Sequence, residues 1–270
     1  MSVQQLFYRT AVPVNFQRHK DWSVKMGDDF GFARAVNSAP ITAVEFAQAA
    51  AEYPIVFAGD DQRVFPAVVL GARENENLFV DDAGKWTAKY IPAFVRRYPF
   101  VFSVDATGKT FTLHIDETFE GVNTEGRGER LFDAEGAQTQ YLKGVLRFLQ
   151  DFQARFARTQ SFCDRLVELK LLQPMQAQFA LASGERRTLA GFQAIDREKL
   201  KALPEDVLAA MCRTDELECV YLHLASLRHF QDMLERFSVP AADAAETLAA
   251  TASAEGTAPE GEALETVHGS

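Results

Sequence analysis

The chain has 270 residues, with hydrophobic and charged residues in ordinary globular proportions but 22 Phe against 6 Tyr and 2 Trp, so a self-sufficient core is expected. Its net charge is -10, yet Asp243, Glu246, Glu255, Glu260, Glu262 and Glu265 lie in residues 241–270 with no Lys or Arg, which leaves only -4 for the rest. That balance lacks the basic face a phosphate backbone requires and argues against nucleic acid; the N-terminal residues read as no export signal and no run of about 18 apolar residues occurs, so a cytoplasmic protein without a transmembrane segment is expected.

Residues 12–16 and 21–24 read as short strands. Thr42 then opens a helix, because Glu45 stands three residues on in the capping-box position, and the helix should reach about Glu52. Residues 55–58 and 65–70 form a hairpin across the turn at 59–62, and 78–80 lead into the turn Asp81-Asp82-Ala83-Gly84. Residues 90–98 predict a short helix with Pro92 in its first turn, closed before Pro99. A second hairpin pairs 100–104 with 110–115 around 106–109. Phe111, Leu113 and Ile115 alternate with Thr110, Thr112 and His114, which puts His114 on the more polar face.

From about Gln138 the period becomes helical. Leu142, Val145, Leu146, Leu149, Phe152 and Phe156 mark one face of a long helix, continued or kinked near Thr159 into Phe162, Leu166, Leu169 and Leu172, and ended by Pro174. Residues 175–181 and 188–192 form a third hairpin around 183–185, and Asp196 is an N-cap. Helices follow over 204–212 and 214–237, the latter buried along Leu217, Val220, Tyr221, Leu224, Leu227 and Leu234. Cys163, Cys212 and Cys219 lack CxxC spacing and read as small buried hydrophobes. The fold class is therefore α+β: antiparallel hairpins in the first half packed with long helices in the second, one intertwined domain over 1–238. Residues 239–270 form a disordered acidic tail with nothing large to bury.

The stretch Tyr90-Ile-Pro-Ala-Phe-Val-Arg-Arg-Tyr-Pro-Phe100 resembles the signature of the SapC family. Ile115-Asp116-Glu117, Leu131-Phe132-Asp133, Leu171-Leu172-Gln173-Pro174, Gly191-Phe192-Gln193-Ala194-Ile195-Asp196, Lys199-Leu200 and Tyr221-Leu222-His223-Leu224 agree with it in order and spacing, over roughly residues 5–237. The resemblance implies an accessory protein of S-layer-associated naming, encoded near TonB-dependent receptors, tryptophan halogenases and cupin-like proteins, with a role around nutrient uptake or peptide modification. It supplies no catalytic residue.

Candidate sites are few. Tyr90, Arg96, Arg97 and Tyr98 gather two guanidinium groups and two phenols, suited to a carboxylate or phosphate, although consecutive arginines diverge on a helix and one is expected to pair with Asp81, Asp82 or Asp105. Asp116 and Glu117, with Glu120 nearby, offer carboxylates at a strand end. His114-Ile115-Asp116 has the HxD spacing of iron and 2-oxoglutarate oxygenases, for which His223 or His229 would have to be the third ligand. Cys219 and His223, four apart, make only half a metal site. The leading expectation is a non-enzymatic cytoplasmic accessory protein without cofactor, whose contact surface for a protein or small anionic ligand includes residues 90–98. A homo-oligomer is compatible with it. An Fe(II)/2-oxoglutarate oxygenase using His114 and Asp116, and an S-layer or envelope structural protein, are the alternatives.

Overall fold

A computed structural model describes residues 6–59, 63–105, 110–180 and 186–238. The expected turns at 60–62, 106–109 and 183–185 and the acidic tail lie outside the described residues. The fold is α+β, and its strand pairs are antiparallel.

Strand β1 (Ala11–Pro13) stops short of the predicted end, because the Asn15 side chain accepts a hydrogen bond from Arg18 N and caps a turn of helix, α1 (Phe16–His19). After β2 (Ser23–Val24) and β3 (Ser38–Pro40), the Thr42/Glu45 capping box forms as predicted. It opens a single 3-10 turn and only one turn of α2 (Phe46–Ala49), shorter than the pattern suggested. Strands β4 (Ile55–Gly59) and β5 (Val64–Val69) make the first hairpin. Pro92 sits at the N-cap of α3 (Ala93–Arg96) rather than inside its first turn, and a cis Tyr98-Pro99 bond leads into β6 (Phe100–Val104). This strand pairs with β7 (Phe111–Asp116), while the short β8 (Val122–Asn123) and β9 (Glu129–Arg130) flank β2.

Helix α4 (Gln140–Glu168) runs through Thr159 as one element of 29 residues, about 43 Å long. Thr159 is integrated instead: its Oγ1 accepts from Ala43 N and donates to Arg155 O. Pro174 does not end this helix. Lys170, at φ 54°, turns the chain into β10 (Leu172–Ala180), and Pro174 lies inside that strand. The proline is accommodated in an edge strand, which pairs with β11 on one side only. Strand β11 (Arg186–Ile195) follows, then α5 (Arg197–Lys201), capped by Asp196 as predicted, and α6 (Glu205–Arg213). The predicted final helix is two, α7 (Glu216–Ser226) and α8 (His229–Ser238). Two burial expectations fail: Tyr221 is 51% exposed, since α7 turns Val220, His223 and Ser226 inward, and Cys212 of α6 is exposed.

The larger sheet has the order β10-β11-β4-β5-β3, so the third hairpin joins the first through β11 and β4. Its strands alternate with the period of two. Ile55, Phe57 and Val68 pack with Phe46, Phe162 and Leu166 on one face, while Val56 and Val69 pack with Phe192, Phe230 and Met233 on the other. A second sheet, β1-β7-β6, builds a separate core of Phe100, Phe102, Leu113 and Ile115 under Leu142 and Leu149 of α4. The long helix thus serves both cores. Segment α3 lies beside it where one core gives way to the other, near Phe148 and Phe152.

Candidate functional site

Successive helical residues rotate by about 100°, so the two arginines of α3 separate. Ala93, Phe94 and Val95 are buried and fix the turn, Arg96 faces outward, and Arg97 goes into the core at 5% exposure. The Arg97 guanidinium lies 4.0 Å from the Phe94 ring centroid, 5.3 Å from Phe152 and 5.9 Å from Tyr8. Burial lowers its pKa, opposed by the Tyr8 hydroxyl. Tyr98 stacks on Phe32 at 4.3 Å, and its hydroxyl is 3.5 Å from Asp116 Oδ2. Burial, with Asp116 adding to it, pushes this phenol up to about 12. Arg97 and Tyr98 are therefore core groups. Asp81 and Asp82, expected as their partners, take Arg34 instead: Arg34 Nη2 donates to both backbone carbonyls, and its Nη1 is 3.8 Å from Asp82 Oδ1.

Asp116 and Glu117 are likewise committed. Burial alone would raise the Asp116 pKa, but hydrogen bonds from Arg9 N, Thr118 N, Thr118 Oγ1 and Thr10 N outweigh it and hold the carboxylate below its usual range. The side chain thereby ties the chain's start to the end of β7. Glu117 is gripped by Arg18 through Nε at 2.5 Å and Nη2 at 2.6 Å, and this pairing lowers its pKa. Beside it is the buried His19, whose Nε2 is 3.5 Å from Glu117 Oε1.

The iron-ligand set does not assemble. His223 is buried in α7, its Nε2 accepting from Ile195 N at 3.0 Å and its Nδ1 donating to Ile55 O at 2.9 Å. Neither nitrogen is left for a metal. His114 Nδ1 is 3.1 Å from Thr112 O, and the oxygens of Asp116 are occupied as described. Among the described residues no group of three His, Cys, Asp or Glu side chains could hold a metal ion. Cys219, four residues from His223, has its thiol pushed up to about 11 by burial.

What α3 and the residues leading into it do present is Arg96 and Tyr90. Together with the Thr42 turn and α4 they enclose a cavity of about 240 Å³, whose polar lining includes Glu45, Gln48, Asp151 and Arg155. Glu45 is its buried floor. Oε2 accepts from Thr42 N and Thr42 Oγ1, and Oε1 accepts from Tyr90 hydroxyl and Ala93 N, all at 2.7–2.8 Å. The capping carboxylate thus also anchors the start of α3. Burial, then Glu45, raises the Tyr90 pKa, which keeps the phenol neutral. Arg96 is pinned by a hydrogen bond from Nε to Ile91 O at 2.9 Å and flanked by the Tyr90 and Phe148 rings, at 5.9 and 5.7 Å. Among the described residues, neither Arg96 nor Arg155 has an acidic side chain within ion-pair distance.

The SapC family profile matches residues 14–233. The chain belongs to the SapC family. No curated protein and no solved structure matches it. Within the matched span, several blocks that carry the family resemblance do architectural work. Asp116 anchors the chain's start, Asp196 caps α5, and His223 binds α7 to β4 and β11. The Tyr90–Phe100 block joins the core and also opens onto a cavity, through Tyr90, Ala93 and Arg96. Sequence reading found Tyr90 and Arg96 but missed Arg155 and the second role of Glu45. Arg155 is one of several cations on the outer face of α4, and only the approach of α3 distinguishes it.

Proposed function

We propose that this SapC-family chain is a binding protein, an accessory and not a catalyst, that holds an anionic group of a protein partner or small ligand in the cleft between α3 and α4. The observation that supports this is Arg96, oriented by Ile91 O and two rings yet without a carboxylate partner among the described residues. A planar guanidinium fixed in this way is suited to forked hydrogen bonding with a carboxylate or phosphate, and Arg155 lines the same cavity, as do Glu45 and Asp151. The wider setting is a cytoplasmic role beside TonB-dependent uptake or peptide modification, which follows from family association alone. Partner recovery from a native extract tests the reading. The wild-type chain recovers a partner that the Arg96→Ala/Arg155→Ala double variant loses while melting at the wild-type temperature; equal recovery by both overturns it.

A further inference from the structure

Arg96 and Phe148 also line a second cavity, of about 350 Å³, whose wall continues through Met26, Tyr98, Phe100, Tyr141 and Val145. Arg96, Arg97 and Gln140 are its polar lining, and the rest of the wall is aromatic and aliphatic. Helix α4 contributes Gly144, and a Cβ added there would meet nothing within 4 Å. Glycine is a poor choice within a helix, and at this exposed position it leaves open space at the cavity's rim.

Aromatic walls with a fixed cation beside them complement an occupant that carries both a ring and a negative charge. We propose that the ligand of this cleft is a small aromatic carboxylic acid, its ring seated among Phe100, Tyr141, Val145 and Phe148 and its carboxylate on Arg96. The proposal rests on Arg96 as an anion-holding group and adds the ring. The volume falls within the range of small-molecule sites, about 300–1,000 Å³. Rings packed edge to face gain more than their buried area alone provides, which an aliphatic acid would forgo. A neutral aromatic alcohol would forgo the forked bond to Arg96. Because Arg96 is already held by Ile91 O and two rings, little side-chain freedom remains to be lost on binding.

Calorimetric titration of the full chain with 3-phenylpropanoate tests this, with 3-phenylpropan-1-ol and butanoate as comparators lacking the charge or the ring. The wild type should bind 3-phenylpropanoate at least tenfold more tightly than either comparator. Gly144→Leu, which fills the cavity from a position where Leu suits the helix, and Arg96→Ala should each weaken it at least tenfold. Met26→Trp fills the same space from a different element and replaces Gly144→Leu if that variant melts early. If 3-phenylpropanoate binds no better than butanoate, or is untouched by both filling variants, the ring site is overturned while the anion reading stands. If the alcohol binds as well as the acid and Arg96→Ala changes nothing, both fall. Absence of binding by any probe overturns the ring site and leaves the anion reading to the partner-recovery experiment.

Discussion

Lowering the pH from 7 to 5 should cost the fold about 2 kcal/mol through His223 alone. The ring is fully buried, and burial depresses its pKa to about 4 from the ordinary value of 6.5. Protonation would also place an N–H on Nε2, where the Ile195 N–H already points. Between pH 6.5 and 4 the unfolded chain binds a proton that the folded chain refuses, so stability falls as pH drops through this window. Below it both states are protonated and the loss levels off at about 3 kcal/mol. Burial lowers the pKa of His19 too, so part of the acid sensitivity belongs to that residue. His223→Gln separates the two, since a glutamine can accept from Ile195 N and donate to Ile55 O without titrating. Urea unfolding of both proteins at pH 7 and pH 5 is the assay. The wild type should lose about 2 kcal/mol more than the variant over this interval; equal losses would refute the assignment.

The divergence of the two arginines predicts opposite outcomes in thermal or urea unfolding. Arg97→Ala, which empties the space between Phe94, Phe152 and Tyr8, should cost about 3 kcal/mol, whereas Arg96→Ala should stay within about 0.5 kcal/mol. Glu45→Ala removes the acceptor of four donors on two segments and should cost about 3 kcal/mol in the same assay, with Glu45→Gln intermediate. Burial pushes the Cys163 and Cys219 thiols up to about 12 and about 11, while Cys212 is exposed. Alkylation at pH 8 followed by mass spectrometry should therefore modify Cys212 first, the half-buried Cys219 more slowly and the buried Cys163 only on unfolding.

Hairpins were legible wherever alternation and turn residues coincided, as in β4–β5 and β6–β7, and so was the capping box at Thr42, because these signals are local. Errors arose where tertiary context redefined a residue. Pro174 reads as a helix stop, but its strand lies at a sheet edge that only the β10–β11–β4 pairing reveals. The inward face of α7 is centred on Val220, His223 and Ser226, two of them polar, because Ile55 and Ile195 need backbone partners; hydrophobic periodicity therefore misplaced Tyr221. At the candidate site the Tyr90 to Tyr98 cluster was visible as composition, but the assignment of Arg96 to the cleft and Arg97 to the core depends on the rotation of a single helical turn. Asp116 and Glu117 looked available because their partners Arg9, Thr10 and Arg18 are about 100 residues away in sequence.

The central claim is that the cleft between α3 and α4 is where this chain meets its ligand or partner. A photoreactive amino acid at the exposed cleft residue Gln48, compared with one at the exposed Tyr221 outside it, measures this directly in living cells. The account predicts a discrete adduct from position 48 that disappears in the Arg96→Ala/Arg155→Ala background and is absent from position 221. Equal adducts from both positions, or an adduct at 48 that survives loss of both arginines, would contradict it.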